Sequence, residues 1–228
     1  MKYGSLGAMF LAKREENPHL IAYRYKEGGN WKSVTYGEAV DRGERIAGGM
    51  ASLGIKKGDR VAIVSGNRIE WALIDYATQS LGAVLVTVYP SLLKEQVQYI
   101  LNDSETKIVF AENDVQMQKI NEVRDNLKFT EHFYAIDGSS SLKDPWRTLE
   151  QLTDDGREFL EKNPQYVKDA SAAVDGDDWA TIIYTSGTTG EPKGAILTNN
   201  NLLSNVEAGL QCLPVNSDDE FLSFLPLS

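Results

Sequence analysis

The run Ala83-Val84-Leu85-Val86-Thr87-Val88 is almost unbroken in apolar and β-branched side chains, and it limits the fold more than any other stretch. A strand with one wet face alternates polar and apolar residues. A strand that is apolar at successive positions is buried on both faces, which is the habit of a parallel sheet between two layers of helices. The sequence around this run alternates in period. Thr35-Tyr36-Gly37-Glu38 has the pattern of a capping box, and Ala39, Gly43, Ile46, Ala47, Met50 and Leu53 follow at the spacing of one helical face, with Gly54 as the stop. Residues 60–65 read as a strand. Asn67 is expected to cap a helix whose inner face is Ile69, Ala72, Leu73, Tyr76 and Ser80. Val97, Ile100 and Leu101 mark a further short helix, and residues 107–111 another strand. The fold class is α/β: parallel-rich sheets covered by helices and joined by right-handed crossovers.

Beyond residue 111 the periodicity is weaker. Residues 115–127 fit a helix and 133–136 a strand, Gly138-Ser139-Ser140-Ser141 a loop, 148–152 a helical turn, and 156–163 a polar helix ending before Pro164. The acidic stretch Asp175-Gly176-Asp177-Asp178 reads as a hinge into a second sheet. That divides the chain into residues 1–172 and 173–228. Residues 220–228 read as an apolar strand with an unmatched edge, a surface through which copies of the chain could self-associate.

The segment Tyr184-Thr185-Ser186-Gly187-Thr188-Thr189-Gly190-Glu191-Pro192-Lys193-Gly194 carries the chemistry. It lies between two apolar, β-branched stretches, 179–183 and 195–198. Clusters of Ser, Thr and Gly commonly mark surface turns. This one also gathers what a polyphosphate needs: glycine amides that approach closely, hydroxyl donors, and the point charge of Lys193. It is neither the Gly-x-x-x-x-Gly-Lys-Ser/Thr loop nor the Gly-x-Gly-x-x-Gly turn.

The run resembles the signature of the adenylate-forming enzymes, which include acyl-CoA synthetases, peptide-synthetase adenylation domains and luciferases. A second set narrows the resemblance: Gly58-Asp59-Arg60-Val61-Ala62-Ile63, Asn67-Arg68-Ile69-Glu70-Trp71, Gly82-Ala83-Val84, Val88-Tyr89-Pro90, and Tyr99-Ile100-Leu101-Asn102-Asp103-Ser104. In that order they are similar to the N-terminal region of long-chain fatty acyl-CoA synthetases. The resemblance implies an incomplete N-terminal portion of the large adenylating domain, with the phosphate loop in its second part. It implies ATP and Mg²⁺ as cofactors, coenzyme A as co-substrate and a fatty acid as the activated carboxylic acid. With no convincing secretion signal, the expectation is a cytoplasmic protein that could also sit at a membrane surface. Ser186, Gly187, Thr188, Thr189 and Gly190 would wrap the β- and γ-phosphates, Lys193 would compensate charge as the catalytic residue, and Thr185 would help to hold Mg²⁺. Tyr184 is expected to pack at the strand end and Glu191 to face solvent. In the family, Leu-Pro-Leu-Ser is followed by a histidine and by much more chain, so these 228 residues are expected to be inactive alone. Two other readings stay open: a non-catalytic nucleotide-binding or assembly module, and an adenylating ligase for an aryl or amino acid.

Composition removes several classes. Hydrophobic residues are 42% and charged residues 25% of the chain, ordinary for a globular protein with a core. A net charge of −10 argues against a nucleic-acid partner. A single cysteine, Cys212, excludes an intrachain disulfide and a cysteine-rich zinc site, and its apolar surroundings suggest a buried packing thiol. His19 and His132 lack metal-ligand spacing. The longest apolar run, 81–89, is far below the roughly 20 residues of a membrane-spanning helix.

Overall fold

The computed structural model describes residues 2–137, 142–185, 191–213 and 215–227. Helix α1 (Leu6–Glu16) precedes a two-stranded antiparallel ribbon of β1 (Ile21–Glu27) and β2 (Asn30–Thr35). Then come α2 (Tyr36–Ser52), β3 (Arg60–Val64), α3 (Ile69–Ser80), β4 (Val84–Val88), α4 (Lys94–Asp103), β5 (Thr106–Ala111), α5 (Asp114–Asn121), β6 (His132–Ala135), β7 (Trp146–Thr148), α6 (Leu149–Lys162) and α7 (Tyr166–Ala172). Strands β8 (Trp179–Thr185) and β9 (Lys193–Thr198) and helix α8 (Asn199–Cys212) complete the order.

Among the described residues the main sheet has seven strands in the order β7-β6-β5-β3-β4-β8-β9, all parallel except the edge pair β8–β9. Alternate residues of each central strand enter two separate cores. Val61, Ile63, Leu85, Ile108 and Phe110 face α2, α3, α6 and α7, whereas Ala62, Val64, Val86, Val109 and Ala111 face α4 and α5. This two-sided burial is why residues 83–88 read as a continuous apolar run, and all five residues of β4 are buried.

The Thr35 capping box forms as expected. The hydroxyl accepts from the Glu38 amide, and the Glu38 carboxylate accepts from the Thr35 amide at 2.8 Å. Gly54 ends that helix region with φ +83°, a left-handed conformation that glycine adopts without strain.

Four expectations are corrected. Residues 179–185 do not open a second sheet: β8 pairs with β4 through Leu85–Thr181, Val86–Ile182 and Thr87–Ile183, because its own apolar alternation completes the first sheet. Asn67 does not cap α3. Arg68 occupies the cap position without a side-chain bond, since the Asn67 carboxamide is engaged by residues 223–227. The strand expected over 220–228 does not form among the described residues: 220–227 run as coil, with Phe221, Leu222, Phe224 and Leu225 exposed. Cys212 is exposed, at the last residue of α8, a helix that buries only Asn199 and Leu203.

The helical turn at 148–152 and the polar helix at 156–163 are one helix, α6, opened by a second capping box at Thr148 and Gln151. Gly156 is retained in its interior because α2 and α6 touch backbone to backbone. A Cβ on Gly156 would lie 1.8 Å from the Arg45 carbonyl oxygen and 2.6 Å from the Gly49 nitrogen. The helix expected over 115–127 stops at Asn121 and continues as a single 3₁₀ turn, Arg124–Asn126. Residues 138–141, expected to be a loop, lie outside the described residues. No helix among the described residues is long and apolar enough to cross a membrane.

Gly156→Ala should therefore destabilise the fold by about 2–3 kcal/mol through overpacking, outweighing the roughly 1 kcal/mol that alanine gains over glycine in a helix interior. Urea unfolding checks this, and an unchanged or higher midpoint would show that the two helices do not touch in this way.

Candidate active site at the carboxyl edge of the sheet

Strand register brings the candidate residues to one edge. Val64 lies abreast of Val88 and Ala111, Ala111 abreast of Ala135, and Thr87 abreast of Ile183. The carboxyl ends of β3, β4, β5, β6 and β8 therefore finish in line, and the residues after β8 leave from the same edge. In open α/β sheets, ligands bind outside the carboxyl ends, where successive connections diverge to opposite sides. Here they diverge between β3 and β5: the chain leaves β3 through α3 toward β4, and leaves β5 through α5 toward β6.

The divergence point is held by charge. The Gly66 amide donates to Glu112 Oε2 at 3.2 Å. Arg68 donates to Glu70 Oε2 and to Asp137 Oδ1, both at 2.7 Å, with Glu112 Oε1 at 4.0 Å. Partial burial pulls the guanidinium pKa down, and the hydrogen bonds to Asp137 and Glu70 more than offset it, so the net shift is upward. On the next connection, Gln116 Nε2 and Lys119 Nζ of α5 both donate to the Pro90 carbonyl, at 3.2 and 2.6 Å, fixing the bend after β4. Sequence reasoning did not assign these side chains. The signal that could have found Glu112 and Asp137 is their position one or two residues past a strand end, on the edge where β8 also ends.

The hairpin of β8 and β9 places Thr185 directly opposite Lys193, and Tyr184 opposite Gly194. Residues directly opposite in an antiparallel pair project to the same face, with Cβ atoms about 5 Å apart. The hydroxyl of Thr185 and the ammonium of Lys193 thus emerge together, and both residues are exposed. No described carboxylate lies within ion-pair range of Lys193. A hydroxyl beside a lysine that has no acidic partner among the described residues is a donor set suited to an anionic phosphate and its counter-cation. Ser186, Gly187, Thr188, Thr189 and Gly190 lie outside the described residues. Glu191 is exposed, as expected.

Tyr184 packs rather than reacts. Its ring lies across Gly194, where a Cβ would meet Tyr184 Cζ at 3.1 Å and Ile182 Cγ2 at 2.8 Å. Its hydroxyl donates to Asp103 Oδ2 at 2.7 Å. Burial, then the hydrogen bond to the Asp103 carboxylate, push the phenol pKa above its ordinary value. His19 is exposed and His132 half-buried, where burial lowers its pKa. No group of three or more His, Cys, Asp or Glu side chains among the described residues could hold a metal ion.

The chain belongs to the AMP-binding enzyme family, whose model matches residues 10–228. It is 34% identical over its whole length to the long-chain-fatty-acid–CoA ligase FadD15 of Mycobacterium bovis, and spans 37% of that protein. It is 31% identical to fatty acyl-CoA synthetase A of Dictyostelium discoideum, over 88% of this chain and 30% of that one. Among solved structures, the inhibitor-bound N-terminal domain of FACL13 from Mycobacterium tuberculosis matches with a TM-score of 0.76 and 28% identity, covering 98% of this chain and 52% of that chain. The anthranilate CoA ligase AuaEII matches in fold, with a TM-score of 0.74 and 18% identity over 90% of this chain and 36% of that chain.

Gly194→Ala should force Tyr184 and Ile182 apart from β9 and cost about 1–3 kcal/mol of stability. Thermal or urea unfolding reads this, and wild-type stability in the variant would mean that the ring does not rest on the glycine.

Proposed function

We propose that the chain is the triphosphate-gripping N-terminal part of an ATP-dependent long-chain fatty acid–CoA ligase. In the reaction so assigned, a fatty carboxylate attacks the α-phosphorus of ATP and expels diphosphate, leaving an acyl adenylate. The thiol of coenzyme A then displaces AMP to give the thioester. The observation that carries this reading is the whole-length similarity to long-chain fatty acid–CoA ligases, taken with a hairpin at the carboxyl edge that presents Thr185 beside Lys193.

The first half-reaction brings an anion to an anion, so charge compensation and in-line placement are what the protein must supply. Lys193 would donate to the phosphate oxygens and offset the charge that develops on the departing diphosphate. The amides and hydroxyls of residues 186–190 would wrap the β- and γ-phosphates. Mg²⁺, when bound, would supply further charge neutralisation on the triphosphate, with the Thr185 hydroxyl among the groups that hold it. Glu191 and Asp103 stay outside this set, since a carboxylate aimed at the triphosphate would oppose binding. The segment from residue 173 onward would act as the phosphate-loop-bearing part of the large domain. A single cysteine suits a reducing, cytoplasmic setting.

Because the chain spans 37% of the FadD15 sequence, turnover is expected of a chain of that length and not of these 228 residues by themselves. In a chain of that length, Lys193→Ala should lower fatty-acid-dependent diphosphate release at least about tenfold, following the loss of one preorganised charge donor, with the thermal midpoint unchanged. Equal turnover in the variant would remove Lys193 from the reaction, and robust diphosphate release by the 228-residue chain would contradict the division of labour.

A further inference from the structure

The segment 220–227 is attached to the body of the protein in an unusual way. Its apolar side chains do not dock it: Phe221, Leu222, Phe224 and Leu225 are 72, 77, 74 and 65% exposed. Polar contacts at two points hold it instead. Arg24 Nε donates to Glu220 Oε1 at 2.8 Å. At the other point a single side chain reads the backbone: Asn67 Nδ2 donates to the Leu225 carbonyl at 2.6 Å and to the Ser223 carbonyl at 3.3 Å, and Asn67 Oδ1 accepts from the Leu227 amide at 2.9 Å.

The pairing of the Leu225 carbonyl and the Leu227 amide on one partner is the pattern by which a residue in a parallel ladder bonds its neighbour, receiving one amide and donating to one carbonyl two residues apart. A carboxamide carries the same donor and acceptor as a peptide group. Asn67 thus stands in for a strand. The residue between the two bonded groups is Pro226, which has no amide hydrogen to offer. This pattern asks nothing of the Pro226 nitrogen.

Asn67 is itself firmly placed. It sits between Gly66, whose amide is bonded to Glu112, and Arg68, bonded to Glu70 and Asp137. It lies just beyond β3, two strands from β8, so roughly 10 Å along the carboxyl edge from the phosphate hairpin at about 4.8 Å per strand.

We infer that Asn67 is a positioning residue: its carboxamide sets the register of residues 223–227 across the carboxyl edge of the sheet, beside the turn that Glu112 and Arg68 fix. The contact is independent of the nucleotide reading.

Hydrogen–deuterium exchange resolved by NMR on the 228-residue chain tests the contact. In the wild type, the Leu227 amide and the Asn67 side-chain amide should exchange more slowly than unstructured controls. In Asn67→Ala, exchange at Leu227 should rise about tenfold, the equivalent of one to two surface hydrogen bonds, while amides of β3, β4 and β5 keep their rates. A Leu227 amide that is unprotected in the wild type, or unchanged in the variant, would overturn the inference. Acceleration spread evenly into β3–β5 would overturn it too, since it would mean general destabilisation. The same samples titrated with ATP and Mg²⁺ separate the two readings. If no nucleotide binds and the exchange pattern holds, the proposed function fails and the clamp stands. If nucleotide binds and the exchange pattern is absent, the reverse is true.

Discussion

Burial of the central strands on both faces is the constraint from which the rest follows. Val61 and Ile63 point into one core and Ala62 and Val64 into the other, and β4 and β5 repeat the arrangement. Strands packed this way cannot slip by one residue without moving every side chain to the opposite core. The register is therefore firmly specified, and with it the alignment of Val64, Val88, Ala111 and Ala135 at one level. The carboxyl edge is a by-product of core packing, yet it is where every candidate functional group is found. Thr185 and Lys193, the Arg68 charge cluster, the Pro90 bend and the Asn67 clamp all lie on or just beyond it.

That edge is built in two manners. Near β3 and β5 the turns are fixed by side chains with charge: Glu112 on the Gly66 amide, and Arg68 between Glu70 and Asp137. At β8 and β9 the fixing is steric, with the Tyr184 ring laid over Gly194 and tied to Asp103. The contrast suits the chemistry proposed. The Arg68 cluster with its carboxylates sits two strands from β8, and the hairpin that carries Lys193 is braced by an aromatic ring on its other face.

Much of this was legible in the sequence, and the failures have physical causes. The capping box at Thr35, the inner face of α2, the strand 60–64 and the apolar β4 follow from local periodicity. The family is legible in residues 184–194, whose ordered hydroxyls, glycines and one lysine carry the resemblance. The sequence breaks the single helix α6 into two pieces because Gly156 weakens helix propensity, and the reason for that glycine is contact with Gly49, about a hundred residues earlier in the chain. Cys212 was expected to be buried from its apolar neighbours, but α8 buries only Asn199 and Leu203. Asn67 has the composition of a cap; that its side chain instead reads the backbone 160 residues later is a tertiary fact with no local signature.

The central claim is that the hairpin at the end of β8 grips a triphosphate. It is tested most directly by following the backbone amides of the 228-residue chain by NMR during titration with ATP and Mg²⁺, a method that tolerates millimolar affinity. The account predicts saturable shifts at Thr185, residues 186–190, Lys193 and Gly194, extending along the carboxyl edge and sparing the opposite end of the sheet at Trp179 and Thr198. Shifts centred on that opposite end, or no response at Lys193 when others saturate, would contradict it.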